Sequence, residues 1–353
     1  MNSQSNNTAI RRSESVRQFL RPIQHLLDDP TVFEVTINKP CEVWTTSFQD
    51  RKLYKIETLS MKYLQDLAKA ILVYNGKRNF AASASVVLPS GERGHIMMPP
   101  GVHDGFIGFS FRKNMKTVKT LDELHQEGRF DRFTDVSFNL PTHDEAVEKT
   151  QLKDFTRLDH FEVELLRLKR EKLIDEFLRQ CVLTKRNICI VGKTGSGKTT
   201  FIRALINEIP LHERIVSIED VFELLIKHPN HLALKYGDGE GHATAKECLA
   251  ATMRLLPDRI FLAELRGDEA WDYLSTVSNS GHPGSITTVH ADSAILAFSR
   301  IAMLIKQSPI GKMLDIELIQ KVLYTSIDVV LFFHDRELVE LFYDPIFKKQ
   351  YLM

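Results

Sequence analysis

Gly192-Lys193-Thr194-Gly195-Ser196-Gly197-Lys198-Thr199 satisfies G-x-x-x-x-G-K-[ST] at every position. Glycines let successive backbone N–H groups turn inward on a polyanion, and a following helix adds the partial positive charge of its N-terminus. The apolar run Ile188-Cys189-Ile190-Val191 enters this loop as a strand, and Thr200 to Leu205 leaves it as a helix. Lys198 is thus the group that neutralises the β- and γ-phosphates of a nucleotide such as ATP. The Thr199 hydroxyl is placed to ligate Mg²⁺, and Thr200 completes the phosphate-binding set. Three further groups fit the same chemistry. Arg259-Ile260-Phe261-Leu262-Ala263-Glu264 is an apolar strand ending in a carboxylate, at the edge where open α/β sheets hold their ligands. Glu264 can therefore polarise an attacking water, as general base or as orienter. Ile215 to Glu223 delivers Glu219, Asp220 and Glu223 within five residues, so Glu219 is a second candidate acid and a Mg²⁺ ligand, directly or through water. Gly281 to Val289 leads into His290, whose imidazole could hydrogen-bond a γ-phosphate or Glu264.

Such groups need a sheet edge to hold them. In the second half of the 353-residue chain, strands are expected at Asn187–Val191, Arg214–Ile218, Arg259–Glu264 and Ser285–His290, with helices between. That is the grammar of a mainly parallel sheet covered on both faces. Ile327–Phe333 and Leu338–Tyr343 read as a closing hairpin, and one helix is expected from Phe161 to Leu183. The first half is different in kind. Val16, Phe19, Leu20, Ile23 and Leu27 form a helical stripe that Pro22 is expected to interrupt. Strands follow around Val32–Ile37 and Glu42–Thr46, then a helix with Met61, Leu64, Leu67, Ala68, Ile71 and Leu72 inward, ended by Gly76. Short strands near Val86–Leu88, His95–Met98 and Ile107–Phe111 complete a small α+β domain. The domain reading is a flexible N-terminus at 1–20, an α+β domain at 21–140, a linker at 141–160 and an α/β domain at 161–353. The run Gly237-Asp238-Gly239-Glu240-Gly241 reads as a flexible surface loop, because no helix follows it as a dinucleotide turn requires.

Composition narrows the class further. Lys+Arg and Asp+Glu both count 46, so the formal net charge is zero, which argues against a protein that coats nucleic acid. No stretch approaches the ~18 consecutive apolar residues of a membrane span. The polar first ten residues lack the pattern of a cleaved secretion signal. Cys41, Cys181, Cys189 and Cys248 form no CxxC pair, which fits reduced cytosolic thiols rather than a disulfide frame or a four-cysteine zinc site.

In their order along the chain, the phosphate loop, Ile218-Glu219-Asp220, Ala263-Glu264-Leu265-Arg266-Gly267 and Gly281 to His290 resemble the traffic ATPases of bacterial type IV secretion systems, within the secretion and pilus ATPase superfamily. Asp28-Asp29-Pro30 to Asn38 and Phe109-Ser110-Phe111-Arg112-Lys113 resemble the family's N-domain, and Ala263 stands where many members carry glycine. The resemblance implies that 161–353 is a RecA-like ATPase motor domain and that the chain forms a homohexameric ring that hydrolyses ATP with Mg²⁺. It implies peripheral association with the cytoplasmic face of the inner membrane, other secretion components as partners, and a role for Arg112 in approaching nucleotide from the N-domain side. Direct nucleic-acid binding is not required. A pilus-retraction or type II secretion ATPase is the nearest alternative, although many type II members carry a four-cysteine zinc insertion that this chain lacks. A nucleic-acid motor on the same core comes next.

Overall fold

In the first half, residues that alternate between the two faces of each strand build an antiparallel sheet. In the second, strands buried on both faces build a largely parallel one. The computed structural model describes residues 2–47, 50–77, 82–113, 118–237, 242–279 and 282–352, with side chains omitted at 2–11, 278 and 279. The run 238–241 and Gly281 therefore lie outside the described residues. The chain divides into two compact units, Met1–Lys116 and Thr117–Met353.

The first unit is a six-stranded antiparallel sheet of β1 (Val32–Lys39), β2 (Glu42–Ser47), β3 (Arg51–Lys55), β4 (Ser83–Val87), β5 (Arg93–Met97) and β6 (Gly108–Arg112), in the order β3-β2-β1-β6-β5-β4. Val35, Ile37, Val43, Ile96, Phe109 and Phe111 share one core with the helices Asn2–Asp28 and Met61–Tyr74. Ser60 caps the second helix by accepting from the Tyr63 amide at 3.3 Å. The first helix runs unbroken through Pro22. Its buried stripe of Val16, Leu20, Ile23, Leu26 and Leu27 outweighs the one amide that proline removes. Residues 12–20 are accordingly part of a packed helix, where a flexible terminus was expected.

The second unit has eight strands: β7 (Thr134–Asp135), β8 (Ile188–Val191), β9 (Ile215–Glu219), β10 (His231–Lys235), β11 (Arg259–Leu262), β12 (Ile286–Val289), β13 (Val329–His334) and β14 (Glu337–Tyr343). Their order is β10-β9-β11-β12-β8-β13-β14-β7, parallel throughout except for the β13–β14 hairpin. Neighbouring residues of one strand feed two different cores. Ile188 and Ile190 pack with the helices His160–Arg170, Ile174–Leu183 and Lys198–Asn207, while Cys189 and Val191 pack with Glu269–Asn279, Ala294–Gln307 and Ile316–Ser326. That division explains why β8 reads as the unbroken apolar run Ile-Cys-Ile-Val and why β11 is apolar past Arg259.

Two expectations are corrected here. The segment 117–160, read as the end of the first domain and a linker, belongs to the second unit. Leu121, Leu124, Phe130, Ala146 and Leu158 lie in its core, and β7 extends its sheet. The single helix expected from Phe161 to Leu183 is two helices, because Lys172 adopts φ 60°. Leu173 N–H donates to Leu168 O at 3.0 Å and Lys172 N–H to Lys169 O at 3.2 Å, the paired bonds of a left-handed helix stop.

Candidate functional site

Parallel pairing places the carboxyl ends of β9, β11, β12 and β8 side by side along one edge. Each expected group of the second unit leaves one of those ends. The loop after β8 turns through Gly192 (φ 145°), Gly195 (φ 82°) and Gly197 (φ 94°). A Cβ on Gly192 would lie 2.4 Å from Phe333 O and 2.6 Å from Ser196 Oγ, so only glycine lets the loop fold beneath the β13–β14 hairpin. Gly197 stands at the N-terminus of the helix Lys198–Asn207. Lys193, Thr194 and Gly195 are exposed at the tip, Thr199 and Thr200 are half-buried, and Lys198 is buried. Lys198 Nζ donates to Gly192 O at 2.5 Å and Lys193 O at 2.9 Å, which draws its charge across the mouth of the loop. Ser196 Oγ is buried without a hydrogen-bond partner among the described residues, a donor suited to a phosphate oxygen. Lys193 Nζ also pairs with Asp292 Oδ1 at 3.4 Å, joining the loop tip to the segment after β12.

Glu264, two residues past β11, is held from both sides. Its backbone neighbours are fixed by Ala263 N–H donating to Ile218 O at 3.0 Å and Leu265 N–H donating to Thr288 O at 2.8 Å. Its Oε1 lies 2.8 Å from His290 Nε2, and its Oε2 accepts from Arg266 Nε at 2.8 Å and Nη2 at 2.6 Å. Burial alone would raise this carboxyl. Hydrogen bonds from His290 and Arg266 and the charge of Arg266 outweigh it and hold the group at about 2. Glu264 is therefore an anion throughout the physiological range. The structure brings Glu264 and His290 together, with His290 one strand and Glu264 two strands from the phosphate loop.

Glu219 is differently placed from its expected role. It is only 2% exposed. Oε2 accepts from the amides of Glu223 at 2.7 Å and Leu224 at 2.9 Å, and Oε1 accepts from Ser217 Oγ at 3.0 Å. Ser217 Oγ in turn lies 2.9 Å from His231 Nε2. Burial lifts the Glu219 carboxyl above its ordinary range, against the pull of those amides. In this arrangement Glu219 pins the turn that follows β9. Arg203, from the phosphate-loop helix, grips the same turn by donating from Nε to Glu223 O at 2.8 Å. Arg112, the last residue of β6, is exposed in the first unit.

Asp220 and Arg266 stood in the sequence only as members of longer runs, and their pairing across two strands was not expected. Asp220 Oδ2 accepts from Arg266 Nη1 at 2.7 Å, so Arg266 joins the β9 and β11 ends. The signal was present: a cation two residues past a strand-end acid faces the same side of an extended segment. Among the described residues no group of three or more His, Cys, Asp and Glu could hold a metal ion by itself. A hydroxyl such as that of Thr199, supplemented by phosphate oxygens and water, is the donor set that Mg²⁺ accepts.

Residues 138–331 match the family described as Type II/IV secretion system protein. The chain is similar to the type IV secretion system protein VirB11 of Brucella suis, 37% identical over 97% of this chain and 93% of that protein. It is also similar to VirB11 of Bartonella henselae, 38% identical over 92% of each. A solved structure of the VirB11 ATPase from the Brucella suis type IV secretion system, in complex with sulphate, covers 98% of this chain and 99% of its own length at 36% identity, with a TM-score of 0.53.

Proposed function

The chain belongs to the VirB11 type IV secretion ATPases of the Type II/IV secretion system protein family, and on that premise we propose how its own residues hydrolyse ATP. The observation that carries the reading is the shared strand edge: the phosphate loop leaves β8 while His290 and Glu264 leave the next two strands in order. Backbone amides of 192–197, with Lys198, Ser196, Thr199 and Thr200, bind the phosphate chain, and Lys198 takes up charge that grows on the β- and γ-oxygens. Glu264 orients a water in line with the γ-phosphorus. As the water oxygen bonds to phosphorus and the bridging P–O bond breaks, Glu264 or the phosphate itself takes the proton, and ADP and phosphate leave. His290 holds the Glu264 carboxylate and reports whether the γ-phosphate is present. Mg²⁺, held through Thr199 and phosphate oxygens, would supply charge neutralisation. Glu219 supports this site by fixing the turn that carries Asp220. Arg112 adds a phosphate contact, for which a planar guanidinium is better suited than an ammonium.

We further propose a homohexameric ring, peripheral to the cytoplasmic face of the inner membrane and partnered by other components of a secretion apparatus. The enzymatic reading is tested with Lys198→Ala. Turnover of ATP should fall at least a hundredfold while the fold, followed by circular dichroism, is retained. Undiminished hydrolysis in that variant would place the activity elsewhere.

A further inference from the structure

Arg266 is anchored from three directions. Its own amide and that of Gly267 donate to Glu269 Oε1 at 2.7 and 2.9 Å, which fixes the backbone from which the side chain leaves. Its Nε and Nη2 converge on one oxygen of Glu264, and its Nη1 reaches Asp220 Oδ2. Asp220 is itself oriented, because its Oδ1 accepts from the Val221 amide at 2.9 Å. His290, Glu264, Arg266 and Asp220 thus form one connected row spanning the ends of β12, β11 and β9. Such an arrangement needs a planar fork with donors on two edges. A lysine offers a single point charge and cannot meet both carboxylates with the same geometry.

We propose that Arg266 is a positioning residue for hydrolysis, holding the Glu264 carboxylate at the distance set by Asp220, so that the β9 turn and the β11 acid are registered as one unit. This rests on reading Glu264 as the water-orienting carboxylate. The row as it stands commits Oε1 of Glu264 to His290 and Oε2 to Arg266, leaving the remaining lone pairs of a fixed carboxylate to face water. A carboxylate two residues beyond its strand would otherwise sample several rotamers, and a displacement of about 1 Å is enough to cost about a hundredfold in rate. The titratable and charged groups packed about the row are Asp220 from β9, Tyr236 beyond β10, Glu264 and Glu269 after β11, and His290 after β12. Arg266 is the one arginine or lysine in this row and meets Glu264 through two donors and Asp220 through a third. Its removal should therefore be felt at Glu264 before any other group.

The test is steady-state ATPase kinetics on Arg266→Ala, Arg266→Lys, Asp220→Asn and the double variant Arg266→Ala/Asp220→Asn, with Glu264→Gln as reference. The expected result is a loss of about 10- to 100-fold in kcat for Arg266→Ala with KM for ATP within about threefold. Arg266→Lys should recover little, and the double variant should be no worse than the poorer single, because both changes break the same row. The acid limb of the kcat–pH profile should move upward in Arg266→Ala, since Glu264 loses a neighbouring cation, a change that a purely structural role would not produce. Parental kcat in Arg266→Ala, fully additive losses, or an unmoved acid limb would overturn the proposal. If Arg266→Ala does not fold, Arg266→Gln and Asp220→Asn carry the same comparison. Undiminished turnover in Glu264→Gln would overturn the reading of Glu264 itself. An inactive Glu264→Gln beside a fully active Arg266→Ala would overturn the positioning role alone.

Discussion

Folding has made the charge on Glu264 hard to remove. The group titrates at about 2 in the native state against an ordinary 4.5, because His290 and Arg266 favour its ionised form despite burial. A carboxyl lowered in this way adds stability that is fully present above the unfolded value and is lost as the pH falls through 4 toward 2. The Glu264→Gln protein should therefore melt below the parent at pH 7, and the gap in Tm should narrow as the pH is lowered through that window. A constant gap would show that the contacts of Glu264 do not depend on its charge. Glu219 shows how a residue's type can be legible while its role is not. Three acids within five residues marked the turn after β9, but nothing in their spacing distinguishes the one that faces inward. The fold turns Glu219 onto the amides of Glu223 and Leu224 and leaves Asp220 to meet Arg266.

At the scale of elements, legibility followed burial. β8, β9, β11 and β12 are buried on both faces, so they appear in the sequence as short segments of apolar and β-branched residues with clear ends. β3 reads Arg-Lys-Leu-Tyr-Lys at an edge of the first sheet, and β10 is a half-buried edge of the second. Neither carries the alternation or the apolar run that identifies a strand from sequence. The break between the helices His160–Arg170 and Ile174–Leu183 was hidden for a related reason. A left-handed stop is normally announced by glycine, and here a lysine occupies it. Since a side chain with a Cβ is strained at φ 60°, Lys172→Gly should raise stability by about 1 kcal/mol, measured by urea denaturation, without altering ATPase activity. A loss of stability would mean that the exposed lysine contributes more than its backbone strain costs.

For the whole molecule, the described residues contain no helix long and apolar enough to cross a membrane. Nucleotide that binds one assembled form better than the separate chains shifts the population toward that form by mass action. Native mass measurement at micromolar concentration should give six chains with Mg²⁺ and a non-hydrolysable ATP analogue, and smaller species without them. A monomer under both conditions would contradict the ring.

The proposed chemistry lies at one strand edge, with the phosphate loop binding and Glu264 acting on water. The measurement that tests this most directly compares ATP turnover and ATP affinity in Glu264→Gln and the parent. The amide preserves shape while removing the charge that orients the water. Turnover should therefore fall by roughly 10²–10⁴, with affinity within a few-fold. Parental turnover, or binding and turnover falling together, would contradict the account.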